Sequence, residues 1–108
     1  MTRILITGMA WLLISGSPDA EAAELSLEIR DHRFVPEELV APSGEKIRLV
    51  IHNRDATPEE FESYELNREK VVSGNSSIRI FLPALEPGTY PFFGEFHPET
   101  ARGRLIVK

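Results

Sequence analysis

Apolar and polar residues alternate in short runs along most of the chain. In LSLEIRD, Leu25, Leu27 and Ile29 fall on one side of an extended backbone, and Ser26, Glu28 and Arg30 on the other. KIRLVIHN repeats the pattern with Ile47, Leu49 and Ile51, and SIRIFL with Ile78, Ile80 and Leu82. Successive side chains leave a strand in opposite directions, so a period of two puts each set on one face of a β-strand. TYPFF and RLIVK predict a closing pair of strands near the C-terminus. Turn-forming clusters separate the runs: PSGE at Pro42 to Glu45, SGNSS at Ser73 to Ser77, and PALEPGTY before the closing pair. No long stretch has the 3.6-residue period of an amphipathic helix. The pattern therefore predicts an all-β fold, a Greek-key β-sandwich. Thr57 to Val72 fits least well. Its apolar residues, Phe61, Tyr64, Leu66, Val71 and Val72, are sparse, and it reads as one strand and a long loop.

The beginning of the chain follows another rule. MTRILITGMAWLLISGSPDAEAAEL has a basic Arg3, an apolar stretch from Ile4 to Ile14 and the small-residue pattern Ala20-Glu21-Ala22. That order predicts an N-terminal signal peptide over residues 1–22 and a single domain over 23–108. The apolar stretch is shorter than the ~20 residues a membrane-crossing helix needs. Export to the periplasm, or secretion, is the expectation. Cleavage after Ala22 removes Arg3, Asp19 and Glu21, one base and two acids, and moves the formal net charge from −5 to −4. An acidic domain argues against nucleic acid as a partner, because phosphate backbones reward clustered Lys and Arg. Cleavage also removes Met1, Met9 and Trp11, and the sequence contains no cysteine. Without disulfides, a small exported domain depends on its apolar core for stability.

Two passages carry a family resemblance. LSLEIRDHRFVPEELVAPSGEKIRLVIHNRDATPEEFE resembles the first half of a cupredoxin-like domain, with its F-x-P-x-x-L-x-V-x-x-G passage and its N-x-D-x-x-x-H-x-F stretch. LEPGTYPFFGEFHPETARGRLIV resembles the second half, in which PGTYxFxCxxH leads to a Met and a closing strand. Residue by residue, the resemblance implies the first His ligand at Glu59, or at Glu60 if the register slips by one. It implies the Cys at Gly94, the second His at His97 and the Met at Ala101 or Arg102. One ligand type of four is kept. A blue-copper centre holds its ion in a plane of two imidazoles and a thiolate, and here the thiolate is missing.

Carboxylates are abundant where those ligands fall. EEFESYELNRE carries Glu59, Glu60, Glu62, Glu65 and Glu69, and Glu95 and His97 belong to the closing loop that cupredoxins fold beside that stretch. Oxygen donors with one imidazole suit hard ions such as Mn, Fe or Ca, and accept Cu(II) or Zn through the imidazole. If Phe61 packs inward, Glu59 shares its face and Glu60 and Glu62 point to the other, although a bulge at Pro58 reverses that choice. The expected metal ligands are Glu60, Glu62, Glu95 and His97, followed by Glu59 and Glu69.

EEFES is similar to the Glu-aromatic-Glu stretch in the cupredoxin domain of EfeO-type iron-uptake proteins, and the whole chain resembles the small periplasmic FtrB-type proteins that accompany ferrous-iron permeases. The resemblance implies an iron or copper ion, a membrane iron permease and its periplasmic associates as partners, and oxidation of Fe(II) or delivery of the metal as the function. Two other classes fit the same residues. One is a metal-free module docking a basic partner subunit through an acidic edge, and the other a metal chaperone without redox chemistry. His32 and His52 read as surface or turn histidines, and Tyr90, Phe92 and Phe93 as core. Ser63 has no base and acid partners of the kind a hydrolase triad needs.

Overall fold

The computed structural model describes residues 22–108, so the expected signal peptide, apart from Ala22, lies outside the described residues. These residues form nine strands: β1 (Ala23–Arg30), β2 (Arg33–Val35), β3 (Glu38–Ala41), β4 (Ile47–Asn53), β5 (Glu59–Ser63), β6 (Arg68–Val72), β7 (Ser77–Leu82), β8 (Gly88–Gly94) and β9 (Arg102–Val107). They pair into a four-stranded sheet in the order β2-β1-β4-β7 and a five-stranded sheet in the order β3-β9-β8-β5-β6. Both sheets are mixed: β1 runs parallel to β4, with Leu27 opposite Ile51, and β3 parallel to β9, with Leu39 opposite Leu105. The architecture is a β-sandwich of two mixed sheets, as expected.

The period of two decides which side chains lie between the sheets. Leu27, Ile29, Leu49, Ile51, Ile80 and Leu82 from the smaller sheet face Leu39, Phe61, Val72, Phe92, Leu105 and Val107 from the larger, and all are buried. Each contributes about 1.5–3 kcal/mol by leaving water, which is how the fold does without cross-links. At one end of this core Phe34, Phe61 and Phe92 form a triad with ring centroids 5.1 to 6.1 Å apart. Phe34 meets Phe92 nearly edge-on, at 85°, an arrangement the ring quadrupoles favour. Phe92 is core as expected and Tyr90 packs partly against it, whereas Phe93 points out of the sandwich and is half-buried.

The segment from Thr57 to Val72 is not one strand and a long loop. It is a hairpin, β5 against β6, with register running from Glu59 opposite Val72 to Ser63 opposite Arg68. Its turn closes with the Asn67 N–H donating to the Tyr64 carbonyl at 3.1 Å, and Asn67 takes φ 56°. Ser63 secures the turn from inside. Its hydroxyl donates to the Pro91 carbonyl at 2.7 Å and accepts the Leu66 N–H at 3.1 Å. The alternation is faint because β6 is an edge strand in which Val72 alone is fully buried.

Asn53, at the end of β4, ties the sheets together where the chain crosses between them. Its amide donates to the carbonyls of Thr57, Val72 and Ser73 at 2.9, 3.3 and 3.2 Å, and its side-chain oxygen accepts the Asp55 N–H at 3.0 Å. A buried polar side chain is stable only when its donors and acceptors are met, as they are here. The loop so fixed carries Asp55 and delivers Glu59 to the start of β5.

Candidate metal centre

Strand β5 divides its glutamates between two faces. Glu59, Phe61 and Ser63 are buried, and Glu60 and Glu62 lie on the outer face of the five-stranded sheet. Pro58 introduces no reversal, so the parity of Phe61 decides the side each carboxylate takes.

Glu59 is only 1% exposed, yet it is fully partnered. Oε1 lies 2.7 Å from His97 Nδ1, while Oε2 accepts the backbone N–H of Phe96 at 2.8 Å and of Glu60 at 3.0 Å. An ionised carboxylate only accepts, so Nδ1 of His97 carries the proton on this side. The loop bearing His97 is a tight turn: the His97 N–H donates to the Gly94 carbonyl at 3.2 Å and the Ala101 N–H to the His97 carbonyl at 2.8 Å. Gly94 is required by the carboxylate rather than by a bend. A Cβ there would sit 2.7 Å from Glu59 Cδ, 2.8 Å from its Oε2 and 2.7 Å from Ala101 Cβ. Of the two residues expected at the Met position, Ala101 is wholly buried against Gly94 and Arg102 is exposed on β9.

The imidazole of His97 also has a neighbour that local sequence did not reveal. His32 stacks on it with ring centroids 3.6 Å apart and 14° between planes. His32 lies in the β1–β2 turn, in keeping with its reading as a surface or turn histidine, with its ring packed on that of His97. The two rings come from the β1–β2 turn and the β8–β9 loop, and no sequence spacing links them. His52 fits its expected role, with Nδ1 2.7 Å from the Ser77 hydroxyl in an exposed position.

The outer face holds the other carboxylates. Glu60, Glu62 and Glu69 each offer an oxygen, and these oxygens all lie within 4.8 Å of one another. Glu62 and Glu69 face each other in the β5–β6 register. Glu95 borders the group, its N–H donating to the Glu60 carbonyl at 2.9 Å. The Glu60 carboxyl is raised to about 7, first by its hydrogen bond with Glu69, then by lost hydration and the charges of Glu69, Glu62 and Glu95. Glu62 is also raised, chiefly by lost hydration and then by the charges of Glu69 and Glu95. The expected ligand set therefore splits. Glu60, Glu62 and Glu69 converge outside with Glu95 beside them, while His97 belongs with Glu59 on the inner side.

Known proteins bear on this geometry in three ways. An uncharacterized protein of Rickettsia prowazekii (strain Madrid E), RP394, is 47% identical over 102 residues, which is 92% of this chain and 82% of that protein. Among solved structures, auracyanin A, a "blue" copper protein from Chloroflexus aurantiacus, superposes with a TM-score of 0.69 at 13% identity, covering 81% of this chain and 99% of its own. The metal-binding domain of the Streptococcus pneumoniae Cu(I)-exporting P-type ATPase, CopA, solved with Cu(I), superposes with a TM-score of 0.70 at 13% identity, over 79% of this chain and 84% of its own. At such identities the superpositions speak for the fold alone. The sequence itself matches the cupredoxin-like domain family over residues 3–107. A match of that extent leaves almost nothing of the chain outside it, and the chain belongs to the family of cupredoxin-like domains.

Proposed function

We propose that this domain holds iron, with copper as the other candidate ion, on the outer acidic face of its five-stranded sheet. From an exported, periplasmic position it delivers the metal to a membrane ferrous-iron permease and its associated proteins. One observation carries the reading: three carboxylate oxygens, from Glu60, Glu62 and Glu69, within 4.8 Å of one another. Oxygens bound at ~2.0–2.4 Å to a single ion cannot be much farther apart than that, so the cluster has the size of a coordination sphere. Crowding raises the Glu60 carboxyl to about 7, and a cation placed among these groups would relieve the repulsion that a proton now relieves.

A blue-copper centre does not fit the residues at the family's ligand positions. The thiolate position is Gly94, and the Glu59 carboxylate fills the space a side chain there would need. The Nδ1 of His97 is occupied by Glu59 at 2.7 Å. Iron chemistry is therefore assigned to the outer carboxylates. Hard anionic oxygens stabilise Fe(III) over Fe(II), because attraction grows with the charge of the ion. Oxidation of Fe(II) sends one electron to dioxygen or Cu(II), whereas delivery needs only binding and release.

Titrating wild type and the Glu60→Gln/Glu62→Gln variant with Fe(III), Mn(II), Cu(II) and Zn(II) tests the assignment. The variant should bind Fe(III) at least about tenfold more weakly, ~1.4 kcal/mol, and lose less for Zn(II). Equal binding of every ion by both proteins removes the reading. Consumption of Fe(II) under oxygen then separates oxidation from delivery.

A second reading has its own support. Apolar side chains are interleaved with the acids on the outer face: Phe93 opposes Glu62, Val71 opposes Glu60, and the rings of Tyr64 and Phe93 lie 5.6 Å apart. Tyr64 is 74% exposed, and aromatic anchors among charges are a common composition for docking a basic protein surface. Retention of the permease complex in the presence of chelator favours this module over metal delivery.

A further inference from the structure

We infer that the open edge of β7 takes an extended, acidic segment of a partner protein as an added strand, independently of the acidic face. β7 closes the four-stranded sheet and β6 the five-stranded one. Arg68 of β6 spans the seam between these two edges, its Nε and Nη2 donating to the Phe81 carbonyl at 3.3 and 2.9 Å. The N–H and C=O of one residue leave a strand on the same side, and successive residues alternate. The Ser76 carbonyl accepts the Asn53 N–H of β4 at 2.8 Å, whereas the Phe81 carbonyl turns to Arg68. By that parity Ser77 and Arg79 turn their main-chain groups away from β4, where no strand pairs with them among the described residues. Each offers a donor and an acceptor there to an extended chain.

The side chains around this edge select the charge of the segment. A hollow of about 540 Å³ borders it, lined by Val50, Ile78 and Phe81 and by Lys70, Arg79 and His52, with no acidic residue in its wall. Lys70 and Arg79 are exposed, and neither joins an ion pair among the described residues, although the chain carries 17 acids to 12 bases. Uncompensated cations facing one hollow attract carboxylates and repel a basic chain. Phe81 is 55% exposed and offers an apolar anchor, of the kind aromatic residues supply at interfaces.

Charged side chains on an edge also guard it against chance pairing. That duty alone does not account for the seam. The Arg68 guanidinium is engaged by the Phe81 carbonyl and, through Nη1, by the Asn67 carbonyl at 2.9 Å, so it caps the edge at Phe81. Ser77 and Arg79 are left open beside an exposed aromatic ring. A guard that is wholly positive turns away basic strands and admits an acidic one, so the charges that prevent aggregation also set specificity. A small anion would satisfy Lys70 and Arg79 but leave the outward carbonyls of Ser77 and Arg79 without donors. An extended peptide meets both needs, as it does wherever a strand is added to a sheet edge.

The probe is a fluorescent peptide of alternating Val and Glu with blocked ends, and its counterpart carries Lys in place of Glu. Anisotropy follows binding to the purified protein, and NMR reads amide hydrogen exchange. The acidic peptide should bind at least about tenfold more tightly than the basic one, and less tightly as salt is raised. Exchange of the Ser77 and Arg79 amides should slow at least about tenfold in the complex, which a purely electrostatic contact would not cause. Lys70→Glu and Arg79→Glu should each weaken the acidic peptide at least about tenfold. Glu60→Gln/Glu62→Gln should not weaken it, so this edge and the acidic face stand or fall separately. Failure of the acidic peptide to bind, equal binding of both peptides, or unchanged exchange at Arg79 overturns the proposal. So does displacement of the peptide by an equal concentration of glutarate, which would make the hollow a small-anion site. Self-association of the protein through the β7 edge also overturns it, by making a second copy the occupant.

Discussion

Glu59 is the residue on which the interior of the site depends. A buried carboxylate is tolerable only when its acceptor capacity is used, and three donors converge on this one. Glu59→Ala leaves those donors without an acceptor and should cost about 3 kcal/mol, read as a lowered urea midpoint. Gly94→Ala should also destabilise, because its new methyl group meets the carboxylate and Ala101. With both changes together, the loss should be at least about 1 kcal/mol smaller than the sum, since the first removes half of what the second collides with. Glu60 behaves in the opposite way. Its carboxyl rises from 4.5 to about 7 on folding, so between those values the folded chain holds more protons than the unfolded one. Stability therefore falls as pH rises through that window and is regained on acidification. The melting temperature should be higher at pH 5 than at pH 8, and Glu60→Gln should flatten the difference. Sequence parity alone assigned these two neighbours to opposite faces. It could not reveal the meeting of His32 and His97, which depends on two remote loops and a hydroxyl from Thr100.

Among the elements, legibility followed burial. Strands β1, β4 and β7 each place at least two fully buried residues at alternate positions, and their period survives in the sequence. β2 and β3 have three and four residues, too few for a period to show. β6 is an edge strand whose outward residues are charged or exposed, which guards against pairing with another chain and also conceals the strand. The β5–β6 turn depended on Asn67, one of the few side chains that accept φ 56°. Asn67→Gly should keep thermal stability within about 0.5 kcal/mol, and Asn67→Ala should lose about 1 kcal/mol. A loss in the glycine variant equal to that in the alanine variant would mean that the Asn side chain, not its backbone freedom, holds the turn.

At the scale of the whole molecule, the sandwich keeps two chemistries apart. The acids of β5 and β6 look outward from one sheet, whereas Glu59 meets His97 on its inner side. Intact-mass measurement tests the expected leader: cleavage after Ala22 gives a chain beginning at Ala23, and a retained Met1 would exclude it. Copper-loaded protein should lack the intense visible band of a copper thiolate, because the sequence has no cysteine to supply the sulfur. The joint between Glu59 and His97 has a further consequence for how the cell can use this domain. An ion that bridged the same loops could be stripped by a chelator or withheld by scarcity, but a side chain is supplied with every copy at translation. The joint between these loops is then indifferent to metal supply, because both of its halves are present in every copy of the chain.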